Sequence, residues 1–328
     1  MPDLLYAAIA MLVGFGALVW GADKFVEGAA GIAKHAGMTP LIIGLTIVSL
    51  GTSAPEIMVS MSASLKNSGE LAIGNALGSN LANIGLVLGV TALVANLPIH
   101  GALLKQELPV MISVTALSGL MLMDAKLVWW EGCVLITLII PVIGFLIVSK
   151  RNVAPAPGDM DEMTEGLPDF GNREAIMWFA VGLVVLLLGS EALVWGAKTV
   201  AAHFEISPLI IGLTIVAVGT SLPELAASVM SALRGHHDIA IGNIVGSNIF
   251  NLLAVMSIPG ILDSKLLEPS VFQRDFVAMG GITFLLGCFM LGASKLNKQK
   301  PSLGKFTGIV LLLIYFGYYF VLSKDALV

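Results

Sequence analysis

Residues 40–89 and 208–257 are two versions of one segment. At a constant offset of 168 residues, 25 of the 50 aligned positions are identical and no gap is needed. The identities gather in Gly51-Thr52-Ser53-Ala54-Pro55-Glu56 and its copy Gly219-Thr220-Ser221-Leu222-Pro223-Glu224. They gather again in Gly74-Asn75-Ala76-Leu77-Gly78-Ser79-Asn80-Leu81-Ala82-Asn83 and its copy, Gly242-Asn243-Ile244-Val245-Gly246-Ser247-Asn248-Ile249-Phe250-Asn251. An internal repeat constrains the fold before any local reading, because both copies must form the same substructure.

The copies lie in a chain that is 57% hydrophobic and only 12% charged, with a mean hydropathy of +0.93. Soluble domains are about one-quarter charged. Apolar runs of about 18–25 residues recur from end to end, the length that crosses a hydrocarbon core. The expected fold is an all-α integral membrane protein with ten transmembrane helices. The first five spans are Leu4–Val26, Pro40–Leu65, Leu71–Asn96, Glu107–Met123 and Val128–Val148. The second five are Ala175–Trp195, Pro208–Leu233, Ile239–Leu262, Phe272–Leu291 and Leu303–Leu322. Five spans per copy force the copies into opposite orientations, the inverted-repeat plan of many secondary transporters, with a substrate site near the midplane. The expected organisation is therefore 1–150 as the first five-helix repeat, 151–174 as a cytoplasmic linker and 175–328 as the second, inverted repeat.

Lysine and arginine set the orientation. With the N-terminus outside, inner loops hold eleven basic residues and outer segments six, so both termini are expected outside and the linker in the cytoplasm of a cell whose inner membrane the chain spans. Trp129 and Trp130 suit an interfacial belt. The N-terminal run lacks a basic n-region and reads as a retained helix. No basic tract points to nucleic acid. Cys133 and Cys288 sit in apolar runs and read as free thiols buried in helix packing. Asn152–Asn172, with three prolines and five acids, reads as a solvated connector and lacks the ligand spacing of an EF-hand loop.

Glu56 and Glu224 fall in the middle of apolar spans. A charge there is costly and marks an ion or proton pathway, and no basic residue lies deep enough in a span to pair with either. Pro55 and Pro223 each remove a helix hydrogen bond and clash one turn back, so spans 2 and 7 are expected to break and free carbonyls near Ser49–Gly51 and Ala217–Gly219. Ser49, Thr52, Ser53, Glu56 and Ser60 share one helix face. Thr220, Ser221, Glu224 and Ser228 do the same in span 7, with Ala217 in place of the serine. Asn75, Ser79 and Asn83 form a stripe on span 3, and Asn243, Ser247 and Asn251 one on span 8. Asn75, Asn80, Asn243 and Asn248 fit interhelical hydrogen bonding as well as ligation. The donors are all oxygens, which suits hard cations such as Ca2+, Na+ and Mg2+ and argues against zinc or copper. Two carboxylates balance one Ca2+ or two Na+. Gly74-xxx-Gly78 and Gly242-xxx-Gly246 are expected to let helices approach closely. Asp23, Lys24, Glu27 and Glu191 read as interfacial or surface-paired, and His35 and His203 as loop residues.

The duplicated Gly-Thr-Ser-x-Pro-Glu and Gly-Asn-x-x-Gly-Ser-Asn-x-x-Asn motifs resemble the α-repeats of the sodium/calcium exchanger family, within the cation/calcium antiporters, and most resemble its short prokaryotic members. The resemblance implies Ca2+ extrusion driven by Na+ through alternating access, with spans 1 and 6 sliding as gates. It implies cation ligands at Thr52, Ser53, Glu56, Ser79 and Asn83, and at Thr220, Ser221, Glu224, Ser247 and Asn251. Carbonyls at Ser49 and Ala217 would complete sodium sites. Asn251 stands where potassium-dependent relatives carry Asp, which argues against K+ cotransport. No Glu follows Gly74-Asn75 or Gly242-Asn243, as it does in proton-driven relatives, which favours sodium. The alternative is a proton-coupled antiporter of Ca2+ or another divalent cation. An intramembrane enzyme lacks a His or Lys beside the motif to activate its hydroxyls, and a passive cation channel is a further reading. No cofactor is expected; the partners are the transported ions and the bilayer, and a functional monomer suffices.

Overall fold

A computed structural model describes residues 2–151, 170–204, 217–264, 266–297 and 301–325. Helix dominates them, since an unpaired peptide group in hydrocarbon costs several kcal/mol and a helix satisfies its own. The first half holds α1 (Pro2–Ala36), α2 (Pro40–Thr52), α3 (Ala54–Leu65), α4 (Gly69–Val94), β1 (Leu97–Pro98), α5 (Leu108–Leu122, entered through Leu103–Glu107) and α6 (Trp129–Arg151). The second holds α7 (Asn172–His203), α8 (Ala217–Thr220), α9 (Leu222–Leu233), α10 (His237–Leu262), α11 (Val271–Leu296), β2 (Ser302–Leu303) and α12 (Lys305–Asp325). β1 and β2 pair antiparallel, Leu97 opposite Leu303.

Among the described residues, seven helices are long and apolar enough to cross a membrane, and eight if the bent pair α2–α3 counts as one span. Large apolar side chains cover the outside as well as the interior, and a polar cluster is buried. Leu12, Ile140, Leu188 and Phe306 are exposed, whereas Glu56, Asn83, Glu224 and Asn251 are buried. Exposed apolar surface on this scale is a lipid-facing surface.

Two apolar clusters organise the interior. The larger joins α4, α5, α6, α10, α11 and α12; the smaller joins α1 and α7 to parts of α2, α9 and α10. α2 crosses α10 with backbone against backbone. A Cβ on Gly44 would meet Ile239 O at 2.6 Å, and one on Gly242 would meet Leu41 O at 2.5 Å. The expected Gly242-xxx-Gly246 contact is therefore present. Its counterpart differs: no described atom lies within 4 Å of a Cβ on Gly74 or Gly78. The segment matching Leu41–Gly44 falls at 209–212, outside the described residues.

Two sequence readings need correction. α1 and α7 outrun their apolar cores, so His35 and His203 lie within helices and close the last turns, whereas Asp23, Lys24 and Glu27 are ion-paired as expected. Helix α1 has no breaker before Gly37, which takes φ +60°, a conformation glycine adopts without strain. Hydropathy marks where hydrocarbon ends, not where hydrogen bonding ends. The cysteines are free but not buried, Cys133 being half-buried and Cys288 exposed. The expected linker falls largely on 152–169, outside the described residues.

Candidate ion-binding site

α2 stops at Thr52 because Pro55 denies the next turn its N–H. Ser53 adopts φ −80°, ψ 7°, and α3 restarts with Pro55 in its first turn, bent 43° from α2. Ser221 repeats this conformation at φ −89°, ψ 4°, between α8 and α9, with Pro223 in the first turn of α9. Each break places a glutamate in the first turn of a fresh helix. The positive end of the helix dipole favours a negative charge there.

The two breaks meet in the protein interior. Glu56 and Glu224 are both buried. Ser53 Oγ, from the first copy, donates to Glu224 Oε1 of the second at 3.1 Å. Ser79 Oγ donates to Glu56 Oε1 at 3.3 Å. Thr52 Oγ1 donates to Asn243 Oδ1 at 3.1 Å, and Asn243 Nδ2 donates to Ser228 Oγ at 2.9 Å and to the Glu224 carbonyl at 3.5 Å. Asn75 Nδ2 donates to the Glu56 carbonyl at 3.2 Å, the same bond in the other copy. Asn80 Nδ2 donates to Asn248 O at 3.2 Å, and Asn248 Nδ2 to Ile244 O at 2.7 Å. The amides of Asn75, Asn80 and Asn243 act as interhelical ties, whereas that of Asn248 bonds within α10.

Among the described residues, several polar atoms of this cluster have no hydrogen bond. Glu56 Oε2, Glu224 Oε2, Asn83 Oδ1, Asn251 Oδ1, Ser221 Oγ and Ser247 Oγ are buried oxygens without a hydrogen bond, as is the nitrogen Asn251 Nδ2. Each such group costs about 1–3 kcal/mol, and a hard cation ligated by oxygen is the chemistry that removes the cost for the oxygens. Among the described residues no three His, Cys, Asp or Glu side chains are grouped to hold a metal. A cation here therefore rests on two carboxylates and neutral oxygens. Thr220 is half-buried at the end of α8. The Ser49 carbonyl already accepts the Ser53 N–H at 3.0 Å and lies 3.3 Å from Thr52 Oγ1, competing with Asn243 Oδ1 for its one proton. Ala217 opens α8, and Ser221 N–H closes on Val218 O at 3.1 Å. Ser190 Oγ on α7 donates to the Gly219 carbonyl at 3.1 Å, tying α7 to the second break.

Two features escaped the sequence reading. Asn83 and Asn251 each begin a π-helical stretch, Asn83–Leu88 and Asn251–Val255. Such wider turns also occur at Gly44–Val48, Leu103–Glu107 and Val271–Phe276, so it is their matched start at the two asparagines that ties these two to the site. Their signal in the sequence is only that the same Asn ends both stripes. The second is the Thr52–Asn243–Ser228 chain, which orients a hydroxyl of one copy from a helix of the other.

A profile of the family described as sodium/calcium exchanger protein matches residues 6–148 and 174–324. The chain belongs to this family. It is 41% identical over 323 residues to the putative antiporter CaxA of Alkalimonas amylolytica, covering 98% of this chain and 100% of that protein. It is 30% identical over 347 residues to the sodium/calcium exchanger MaX1 of Methanosarcina acetivorans, covering 95% and 97%. Among solved structures, the sodium-calcium exchanger NCX_Mj superposes with a TM-score of 0.81 at 29% identity, over 95% of this chain and 97% of that one. This exchanger is thus a multi-pass membrane antiporter of cations, as the repeated motifs implied.

Proposed function

We propose that the chain exchanges Ca2+ for Na+ across the membrane by alternating access. The observation that carries this reading is the pair of unpartnered, buried oxygens Glu56 Oε2 and Glu224 Oε2, one from each copy, in an all-oxygen surround. Their joint charge of −2 is neutralised by one Ca2+ or by two Na+, so either load crosses hydrocarbon at a low electrostatic cost. Thr52, Ser53, Ser79, Asn83, Thr220, Ser221, Ser247 and Asn251 supply the neutral oxygens, and the carbonyls of Ser49 and Ala217 extend the site for Na+. Relatives named as sodium/calcium exchangers support the choice of ions.

The site belongs to ten spans in two inverted five-helix repeats, 1–150 and 175–328, joined by a cytoplasmic linker at 151–174. Matched bonds from Asn75 and Asn243 to the carbonyls of Glu56 and Glu224 support the repeat plan. The basic-residue bias supports both termini outside the inner membrane. One chain supplies both halves of the site, so a monomer transports.

The test is uptake of radiolabelled Ca2+ into proteoliposomes loaded with Na+, with choline, or with choline and an imposed pH gradient. Uptake confined to the Na+ load is expected. Uptake driven by the pH gradient and indifferent to Na+ would replace sodium with protons as the coupling ion.

A further inference from the structure

α1 and α7 form a body of their own. Glycines recur every seven residues at Gly14, Gly21 and Gly28, and at the matching Gly182, Gly189 and Gly196. A Cβ on Gly14 would meet Gly189 O at 2.8 Å, one on Gly21 would meet Leu186 N at 2.5 Å, and one on Gly196 would meet Ala7 O at 2.7 Å. The two backbones are in contact along their length, apart from the main apolar cluster.

Arg234, the residue that closes α9, ties this body to the rest. Its Nε donates to Asp23 Oδ1 at 2.8 Å, its Nη2 also reaches Asp23 Oδ1, and Nη2 lies 3.1 Å from Glu27 Oε1. Both acids are on α1. The 168-residue offset maps Asp23 onto Glu191 of α7 and Arg234 onto Lys66, the residue that closes α3. Acid and base recur in the same order, yet Lys66 and Glu191 are both exposed, and among the described residues no ion pair joins them.

The site is lopsided in the same sense. Gly242, Asn243 and Gly246 are buried, whereas Gly74 is exposed and Asn75 and Gly78 are half-buried. Asn243 is bonded to Thr52 of the other copy, while Asn75 bonds within its own. The Arg234 ion pairs lie at the end of the chain's second copy, where Gly242, Asn243 and Gly246 are buried.

We propose that Asp23/Glu27–Arg234 and Glu191–Lys66 are alternate latches of the transport cycle. The first forms in the state described here and holds α1 against the end of α9. The second forms only in the state of opposite access, holding α7 against the end of α3. These are positioning residues that set which side the site faces, and the inference rests on the alternating-access reading above. Exposed ion pairs are worth little each, so breaking one latch is expected to shift the ratio of the two states about 2–5-fold.

The test uses cysteine pairs in a Cys133→Ser, Cys288→Ser background reconstituted in proteoliposomes. Asp23→Cys with Arg234→Cys should crosslink readily without ions. Lys66→Cys with Glu191→Cys should crosslink only during turnover, with Na+ and Ca2+ on opposite sides. Each crosslink should arrest flux, and reduction should restore it. Adding Arg234→Gln to the second pair should raise its crosslinking about 2–5-fold, a change that a purely structural role does not produce. A second pair that never crosslinks in protein that still transports, or that crosslinks without arresting flux, overturns the latch. Loss of Na+-dependent flux in the cysteine-free background itself would instead count against the transport reading.

Discussion

Glu224→Gln removes one unit of charge from the site and almost none of its shape. The amide oxygen still accepts the Ser53 hydroxyl that lies 3.1 Å from Glu224 Oε1, and the side chain stays buried on α9. What changes is the field at the unpartnered oxygen. Two unit charges 4 Å apart at an effective dielectric of about 20 interact by about 4 kcal/mol. A divalent ion doubles that, and the neutral amide returns part of it by shedding the carboxylate's desolvation cost. A net loss of about 4 kcal/mol corresponds to about 1,000-fold weaker Ca2+ binding. The assay is the initial rate of Ca2+ uptake into Na+-loaded proteoliposomes, with size-exclusion chromatography as the control for folding. Asp238→Asn, which alters a carboxylate paired with the half-exposed His100 at the start of α10, should leave uptake within about twofold, as expected for a pair open to solvent on one side and away from the site. Uptake by Glu224→Gln within about tenfold of the unmodified protein would refute the reasoning, because one charge at this site is worth more than that.

Gly242→Val places a Cβ 2.5 Å from Leu41 O and 2.9 Å from Leu45 N; it should force α2 off α10, costing about 1–3 kcal/mol or more, and lower the yield of monodisperse protein. Gly281→Ala, with no described atom within 4 Å, should not. Asn243→Ala strips partners from Thr52 and Ser228; intramembrane hydrogen bonds average about 0.6 kcal/mol, so the unfolding free energy in a detergent titration should fall by about 1–2 kcal/mol while Ca2+ affinity falls further, since Thr52 loses its orientation. Outside the spans, burial first, then Arg234 and His237, depress the His236 pKa below its ordinary value. Below about pH 6.5 the unfolded chain therefore binds the extra proton more readily, and this group's contribution to stability is lost as pH falls. Thermal midpoints of the protein and of His236→Asn should diverge least above neutral pH and most in acid; parallel curves would remove His236 from the account.

The repeat carried most of the fold, because two copies of Thr-Ser-x-Pro-Glu constrain backbone and charge together. The breaks at Ser53 and Ser221 followed from proline chemistry, and the inward face of Ser49, Thr52, Ser53 and Glu56 from helical periodicity. Other features had no one-dimensional trace. Gly74-xxx-Gly78 and Gly242-xxx-Gly246 are the same motif, yet among the described residues a backbone is seen against the second alone, since the segment that matches Leu41–Gly44 lies outside them. A buried thiol was expected at Cys288, but an apolar run does not say which helix face meets lipid. Nor does local sequence distinguish the π-helical turns at Asn83 and Asn251 from ordinary helix, since both fit the same stripe.

The central claim is that Glu56 and Glu224, from opposite copies, form one site that Ca2+ and Na+ contest. Equilibrium dialysis of radiolabelled Ca2+ against the purified chain, repeated with Glu56→Gln and with Glu224→Gln, tests it most directly. The account predicts one Ca2+ per chain, displaced by Na+, and none in either variant. Ca2+ retained in full by either single variant, or a second Ca2+ bound with equal affinity, would contradict it.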